Sequence, residues 1–332
     1  MKRVVLFVVI TSVLLIAYVS YCGNAAKHSS NYKAKQKTET RKKIKDNTSQ
    51  KFNGDTSKFI GKDLELPSVK KGEQVIHHAG YSFVYNETYE QASWVAYVLT
   101  EKETEKLYDR TDKFIQDPSV STGSAADADY SGSGYDRGHL APAADMGWSS
   151  TTMAESFYFS NMSPQVPGFN RGIWKRLEEQ VRSWAIEYDT VYVATGPVLK
   201  GSMGSIGANK VAIPNYYYKV ILDMHSKPHQ AIGFVMENAS ASGDLSKFAV
   251  SIDSVERFTG IDFFPSLEDG AETALEKTVC TSCWTWEITH PSNSGETKPT
   301  GGESVQCSGT TQAGARCKRR TSDPSGRCYQ HQ

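Results

Sequence analysis

The chain lacks net charge. Its 37 lysines and arginines balance 37 aspartates and glutamates, which excludes a molecule that traps polyanions with its whole surface. Any attraction of that kind has to come from local patches. It also lacks a base-reading helix and an array of zinc fingers, which argues against sequence-specific readout. Apolar residues are nearly missing between Ala26 and Lys58, where basic side chains such as Lys27, Arg41, Lys42, Lys43 and Lys51 face Glu39, Asp46 and Asp55 alone. Such a stretch cannot bury enough surface to fold. Residues 26–60 therefore read as a basic disordered linker. It holds the rest of the chain off a membrane or a cleavage site, and its charge is compatible with a lure for nucleic acid or anionic lipid.

Ahead of this linker stand Met1-Lys2-Arg3 and then Val4 to Tyr21 without a charge. A charged start with a long apolar run behind it is the pattern of an export signal. Its length lies at the lower edge of what spans a bilayer as a helix. Residues 1–25 thus read as a signal peptide or a retained membrane anchor. The expected location is periplasmic, secreted or membrane-anchored, with membrane contact if the segment stays. Cys22 suggests a lipidation site, although Tyr21 stands where a small residue is expected.

The remaining sequence, 39% apolar over the whole chain, can build a core, and 61–290 reads as one folded domain. Ser93 to Thr100 is rich in β-branched and aromatic residues and predicts a strand. Val191 to Thr195 predicts another, ended by Gly196-Pro197. Tyr216–Leu222 and Ala231–Met236 predict a hairpin across a loop in which His225 and His229 are solvated. Phe157 to Ser160 predicts a short buried strand, and Ser119 to Gly134 a Ser/Gly/Asp-rich loop. Asn170 is a favoured N-cap, and Ile173, Leu177, Val181, Trp184 and Tyr188 come after it at helical spacing. Ser254 to Thr259 reads as a short helix, and Gly260 to Pro265 as the segment that closes the core. Strands and helices without strict alternation argue for an α+β fold.

The chain is organised around Tyr135 to Met146, YDRGHLAPAADM. His139 stands beside Gly138, flanked by Asp136 and Arg137. At fixed spacing beyond it come Phe157 to Gln165 with Asn161, then Phe169-Asn170-Arg171, Trp174, Glu178 and Arg182. A histidine, two amides, a carboxylate and arginines in one short span form an inventory for phosphodiester chemistry. A histidine near its unperturbed pKa takes a proton from water at neutral pH. A hard divalent cation stabilises charge developing on oxygen, and Mg²⁺ keeps several waters and needs few protein ligands.

These motifs resemble the DNA/RNA non-specific endonuclease family, the ββα-metal nucleases. The resemblance runs from about Gly80 to Pro265 and includes Asp127 to Tyr130, Gly134 to His139, Ser160 to Gln165, the Asn170-to-Glu178 spacing and Thr195-Gly196-Pro197. It implies a central, largely antiparallel sheet flanked by helices, with a ββα-metal motif at the active site. It implies His139 as general base, Asn170 as the Mg²⁺ ligand (with Mn²⁺ as substitute), Glu178 as holder of metal-bound water and Asn161 as support for that geometry. Arg110 and Arg182 would neutralise phosphate oxygens by bidentate hydrogen bonds, with Arg137 also on the substrate side. Expected partners are DNA and RNA, and a homodimer is a further expectation.

Beyond a 291–302 linker, 303–332 reads as a small basic module. Cys307, Cys317, Cys328 and His331 match a tetrahedral Cys₃His zinc site. Disulfides, with Cys280 and Cys283 as partners, are the alternative. The rival to a metal-dependent endonuclease is an inactive, membrane-tethered nucleic-acid-binding protein. A phosphodiesterase for small substrates is a third reading.

Overall fold

The computed structural model describes residues 63–201, 203–290, 305–310, 316–317 and 320–321. The N-terminal apolar run with Cys22, the basic linker, Cys328 and His331 lie outside the described residues. No helix among the described residues is long and apolar enough to cross a membrane.

Strands β1 (Val75–His77), β2 (Ser82–Asn86) and β3 (Gln91–Thr100) come first, and after them a one-turn helix, α1 (Asp127–Tyr130). Then come β4 (Asp136–His139), α2 (Ser150–Glu155), β5 (Met162–Gln165) and the long helix α3 (Lys175–Tyr188). Strands β6 (Thr190–Pro197), β7 (Ser205–Ile206), β8 (Val211–Ala212), β9 (Tyr216–Asp223), β10 (Gln230–Glu237) and β11 (Ala249–Val250) precede α4 (Ile252–Thr259) and α5 (Asp269–Glu276). In the tail, β12 (Val305–Gln306) pairs with β13 (Arg320–Thr321). The expected α+β architecture holds. Seven strands form one sheet in the order β1-β2-β3-β6-β9-β10-β11, and every neighbouring pair is antiparallel.

Both faces of the sheet are covered, and β3 shows why its sequence lacks polar alternation. Successive strand side chains point to opposite faces. Val95, Tyr97 and Leu99 join the face packed by Leu177, Val181 and Trp184 of α3. Trp94 and Ala96 join the opposite face, under Ile252 and Val255 of α4 and Phe263 and Phe264. Each large side chain buried in this way stabilises the fold by about 1.5–3 kcal/mol.

The site is carried by a separate two-stranded unit. β4 pairs antiparallel with β5, with Arg137 opposite Pro164 and His139 opposite Met162. The Ser163 hydroxyl anchors the pair to the sheet. It donates to Gln91 Oε1 at 2.5 Å and lies 2.6 Å from the Tyr217 hydroxyl. Two strands and then α3 give the ββα arrangement. Gly138 is required here, because a Cβ would run into the Gln165 side chain packed behind it.

Several local expectations are corrected. Phe157–Ser160 is not a strand. The chain turns there into a 3₁₀ turn, Phe159–Asn161, and pairing begins at Met162. Asn170 is not an N-cap. It sits inside a π-helical turn, Phe169–Trp174, with Gly172 at φ −106°, ψ −112°, and α3 starts only at Lys175. Pro164 is accommodated within β5, and Pro167, which cannot donate to a ladder, stands between β5 and the widened turn that leads to α3. β6 does not end before Gly196-Pro197 but runs through both. Gly196 lets Ser93 and Tyr218 approach where a Cβ would stand 2.7 Å from each. The predicted loop 119–134 contains α1. His225 is exposed, as expected, but His229 is only half exposed and its Nδ1 lies out of water without a partner among the described residues.

The core does not close at Pro265 either. Residues 284–289 run as a strap over α3. Thr285 O accepts hydrogen bonds from Trp184 Nε1 (2.6 Å) and Gln180 Nε2 (3.1 Å), and the Thr289 N–H donates to Ser183 Oγ at 2.7 Å. Trp284 joins the main core with its ring 4.5 Å from that of Trp184. Just before the strap, Cys280 and Cys283 are disulfide-bonded to each other. They are therefore not the partners of the tail cysteines.

Candidate active site

β4 delivers His139 to the site. The residue is 8% exposed, and its Nε2 is buried with no hydrogen-bond partner among the described residues. The Phe157 ring meets it edge-on at 4.9 Å, and the Phe114 ring lies at 5.9 Å. Arg110 stacks over Phe157 at 4.9 Å and Arg137 over Phe114 at 5.4 Å. Two guanidinium groups thus flank the imidazole, each seated on an aromatic ring that also touches it. The expectation of an unperturbed histidine is corrected. Burial, and then the charge of Arg110, pull its pKa down to about 3, against an opposing interaction with the Arg137 backbone. His139 is a neutral base at every physiological pH.

The arginines differ in what holds them. Arg110 Nε pairs with Asp112 at 2.6 Å, in an exposed setting. Arg137 pairs with Asp127 of α1 at 2.7 Å and is largely covered. Arg182 is engaged inward, with Nη1 2.6 Å from Oδ1 of the fully buried Asp145. Asp145 Oδ2 also accepts from the Tyr97 hydroxyl at 2.8 Å. Arg182 is thus fixed by a buried pair, which sets its position next to Glu178 one turn back on α3.

Asn170 is oriented by Asp136. Its Nδ2 donates to Asp136 Oδ2 at 2.9 Å, and Arg171 donates to the same carboxylate through Nε and Nη2. Burial pushes the Asp136 carboxyl up, but the hydrogen bonds from Arg171 and Asn170 outweigh it and hold the pKa below the usual range. With the amide nitrogen committed, the hard neutral oxygen Oδ1 faces the other way. Such a donor fits a cation that keeps most of its waters, so the residues present are compatible with Mg²⁺. Asn161 does something else. Its Oδ1 accepts from the Ala141 N–H, and its Nδ2 donates to Ala141 O and Ser156 O, all at 2.8–2.9 Å. It holds the chain just past His139 and faces neither water nor substrate.

Glu178 lies on the face of α3 turned to this group. Burial raises its pKa, while Lys219 and Arg182 act in the opposite sense and Asp145 adds to the rise. Arg110 acts on both Glu178 and His139, which places the three in one electrostatic neighbourhood. Arg182 joins them through Glu178 and Arg137 through the shared Phe114 ring, Asn170 is tied to Asp136 at the start of the strand that ends in His139, and Asn161 lies behind that strand.

Asp145 and Lys219 did not emerge from sequence reasoning. Lys219 lies in the middle of β9 and is 0% exposed. Its Nζ has no hydrogen-bond acceptor among the described residues and sits 5.0 Å from the centre of the Trp174 ring. Burial lowers its pKa, and Glu178 and Asp145 oppose that. A lysine inside the apolar run Tyr216–Leu222 was the available signal, since a charge at an inward strand position demands a partner. Asp145 stood within the organising stretch but carried no pattern of its own.

A model of the DNA/RNA non-specific endonuclease family matches residues 62–270. Over 226 residues the chain is 37% identical to Nuclease C1 of Cunninghamella echinulata var. echinulata, an alignment covering 63% of this chain and 88% of the relative. It is 36% identical over 209 residues to mitochondrial endonuclease G of Homo sapiens, covering 58% and 70%. Among solved structures, a crystal structure of the EndoG/EndoGI complex superposes with a TM-score of 0.57 at 35% identity, covering 61% of this chain and 89% of that one. The chain therefore belongs to the DNA/RNA non-specific endonuclease family.

Proposed function

We propose that the chain is an exported, Mg²⁺-dependent endonuclease that hydrolyses DNA and RNA with little sequence preference. The observation that carries this reading is the His139 imidazole: neutral, buried, with Nε2 unpaired and arginines on both sides. Nε2 takes the proton of the attacking water. In the substrate-free protein this base is weak. A phosphodiester anion settling beside it opposes the field of Arg110 and raises its basicity, because a nearby negative charge favours the protonated imidazole. The base thus strengthens when substrate is in place.

Arg110 and Arg137 bind phosphate oxygens, and such contacts position a strand without reading its bases. Asn170 Oδ1 and Glu178, the latter through water, are the residues that would hold Mg²⁺, with Mn²⁺ as substitute. When bound, the ion supplies charge stabilisation at the leaving oxygen. Asp136 keeps the Asn170 amide oriented. Asp145 and Arg182 fix the flank of α3 that presents Glu178. Lys219, buried behind Trp174, favours the ionised form of Glu178.

The mitochondrial endonuclease G and Nuclease C1 relatives support polymeric nucleic acid as the substrate over a small phosphodiester. The presence of every residue assigned to the site supports an enzyme over an inactive binding protein. The Cys280–Cys283 disulfide supports an oxidising, exported location. In the tail, Cys307 and Cys317 are buried against each other, and the Gly309 N–H donates to Cys307 Sγ at 3.3 Å. A backbone N–H on a sulfur suits a thiolate ligand, so zinc held with Cys328 and His331 is the reading we favour there. The deciding experiment is digestion of plasmid DNA and of a long RNA, with and without chelator, by wild type and His139→Ala. Loss of both activities in the variant, and in chelator, is expected. Near-normal turnover by His139→Ala overturns the assignment.

A further inference from the structure

Away from these residues, α4 and α5 bring together carboxylates that the proposed chemistry does not use. Asp253 and Glu256 lie three apart on α4 and so share a face. Glu276 is the last residue of α5. One carboxylate oxygen from each lies within 4.8 Å of the other two. Acidic side chains often gather on surfaces without consequence, but Glu276 is different. It is 6% exposed, and its Oε1 is buried with no hydrogen-bond partner among the described residues. A polar oxygen withdrawn from water and left unpaired is costly.

The surroundings make this worse. Burial, and then the charges of Glu256, Glu272, Asp262 and Asp253, push the Glu276 carboxyl up to about 8. Every one of those four charges has the same sign. The last turn of α5 contains no basic residue, so its terminal carbonyls add negative potential at the same place. Lys277, next in the chain, is exposed. Arg257 reaches Asp253 only at 3.9 Å and is itself largely in solvent. Glu256 is already aimed, because its Oε1 accepts the Phe263 N–H at 2.9 Å.

We propose that Asp253, Glu256 and Glu276 form a second cation site, apart from the catalytic residues, that takes a divalent ion of the calcium class. The donor set is all hard oxygen, without the nitrogen or sulfur that a zinc site uses. Mg²⁺ keeps most of its waters and is held by one or two carboxylates, whereas Ca²⁺ takes several carboxylate oxygens. Three carboxylates with oxygens within 4.8 Å of one another suit the larger ion, whose coordination also tolerates irregular geometry and water. The ion would join the end of α5 to α4, and through α4 to the sheet face formed by Trp94, Ala194 and Val220.

The test is direct binding of CaCl₂ to the full chain by equilibrium dialysis, with wild type, Glu276→Gln and Asp253→Asn side by side. Each variant is expected to bind one Ca²⁺ fewer than wild type, whatever the catalytic residues take up, while cleaving plasmid DNA at the wild-type rate in Mg²⁺. Ca²⁺ at about a hundredfold its dissociation constant should also raise the wild-type Tm by about 5–10 °C, and the variants should lose that increment. If Glu276→Gln does not fold, Asp253→Asn, which changes a partly exposed residue, carries the comparison. Equal Ca²⁺ stoichiometry in wild type and a folded variant, zero included, overturns the proposal and leaves a protonated Glu276 as the answer to its unpaired oxygen.

Discussion

The depressed basicity of His139 has a consequence for folding that does not depend on catalysis. In the unfolded chain the imidazole titrates near 6.5, and in the folded chain near 3. Between those values the unfolded state holds a proton that the folded state does not, so acid favours unfolding. The contribution is fully present above pH 6.5 and is lost steadily as the pH falls towards 3. Each pH unit inside the window is worth about 1.4 kcal/mol. From pH 7 to pH 5 the loss attributable to this one side chain is about 2 kcal/mol. The assay is urea denaturation at both pH values, in chelator, for wild type and His139→Gln. Glutamine keeps a polar group of similar reach but does not titrate. Wild type should lose about 2 kcal/mol more than the variant between the two pH values. Parallel losses would mean that His139 is not held neutral by the fold, and the account of a dry imidazole beside Arg110 would fail with it.

Gly138→Ala should destabilise by about 1–3 kcal/mol, as overpacked sites do, because its Cβ meets Gln165; the shift in urea midpoint measures it. Asp136→Ala frees the Asn170 amide to rotate, and the Mg²⁺ concentration for half-maximal activity should rise about 10–100-fold, the usual effect of losing a group that orients a metal ligand. Lys219→Met removes the buried cation that favours ionised Glu178, so the acid limb of the pH–rate profile should move to higher pH; an unmoved limb with only a lower rate would make Lys219 a packing residue alone.

The four central strands, β3, β6, β9 and β10, were legible to within a few residues because they are continuous apolar runs, whereas the short outer strands β1, β2 and β11 carry too few buried residues to stand out and were not read. A strand buried on both faces cannot hide in a sequence. The connection to α3 was not legible in the same way. Asparagine before an amphipathic stretch signals a cap, but Asn170 is taken up by Asp136, a partner 34 residues earlier, and no local pattern encodes that competition. The same holds for Phe157–Ser160, where Phe157 packs on His139, Tyr158 on His78 and Phe159 on Tyr130 and Phe114, and the segment forms no strand. The site's residue types were visible from spacing. Their electrostatics were not, since the shift of His139 comes from burial and from Arg110, and the setting of Arg182 from Asp145. Lys219 was in plain view as a charge amid apolar neighbours, but its distance in sequence from the histidine motif concealed the connection.

The strap over α3 means that this fold has no clean end where the matched family span stops at residue 270. A chain cut there would open a crater along the helix that carries Glu178 and Arg182. The indole N–H of Trp184 and the hydroxyl of Ser183 would lose their acceptor and donor, and the space of the Trp284 ring would fill with solvent. Helix and strap act as lock and bolt. A cut between 270 and 280 would leave the strap held by its packing alone and so blunt the nuclease at a distance from its reacting atoms, whereas a cut inside the Cys280–Cys283 loop would leave the strap covalently joined to the chain.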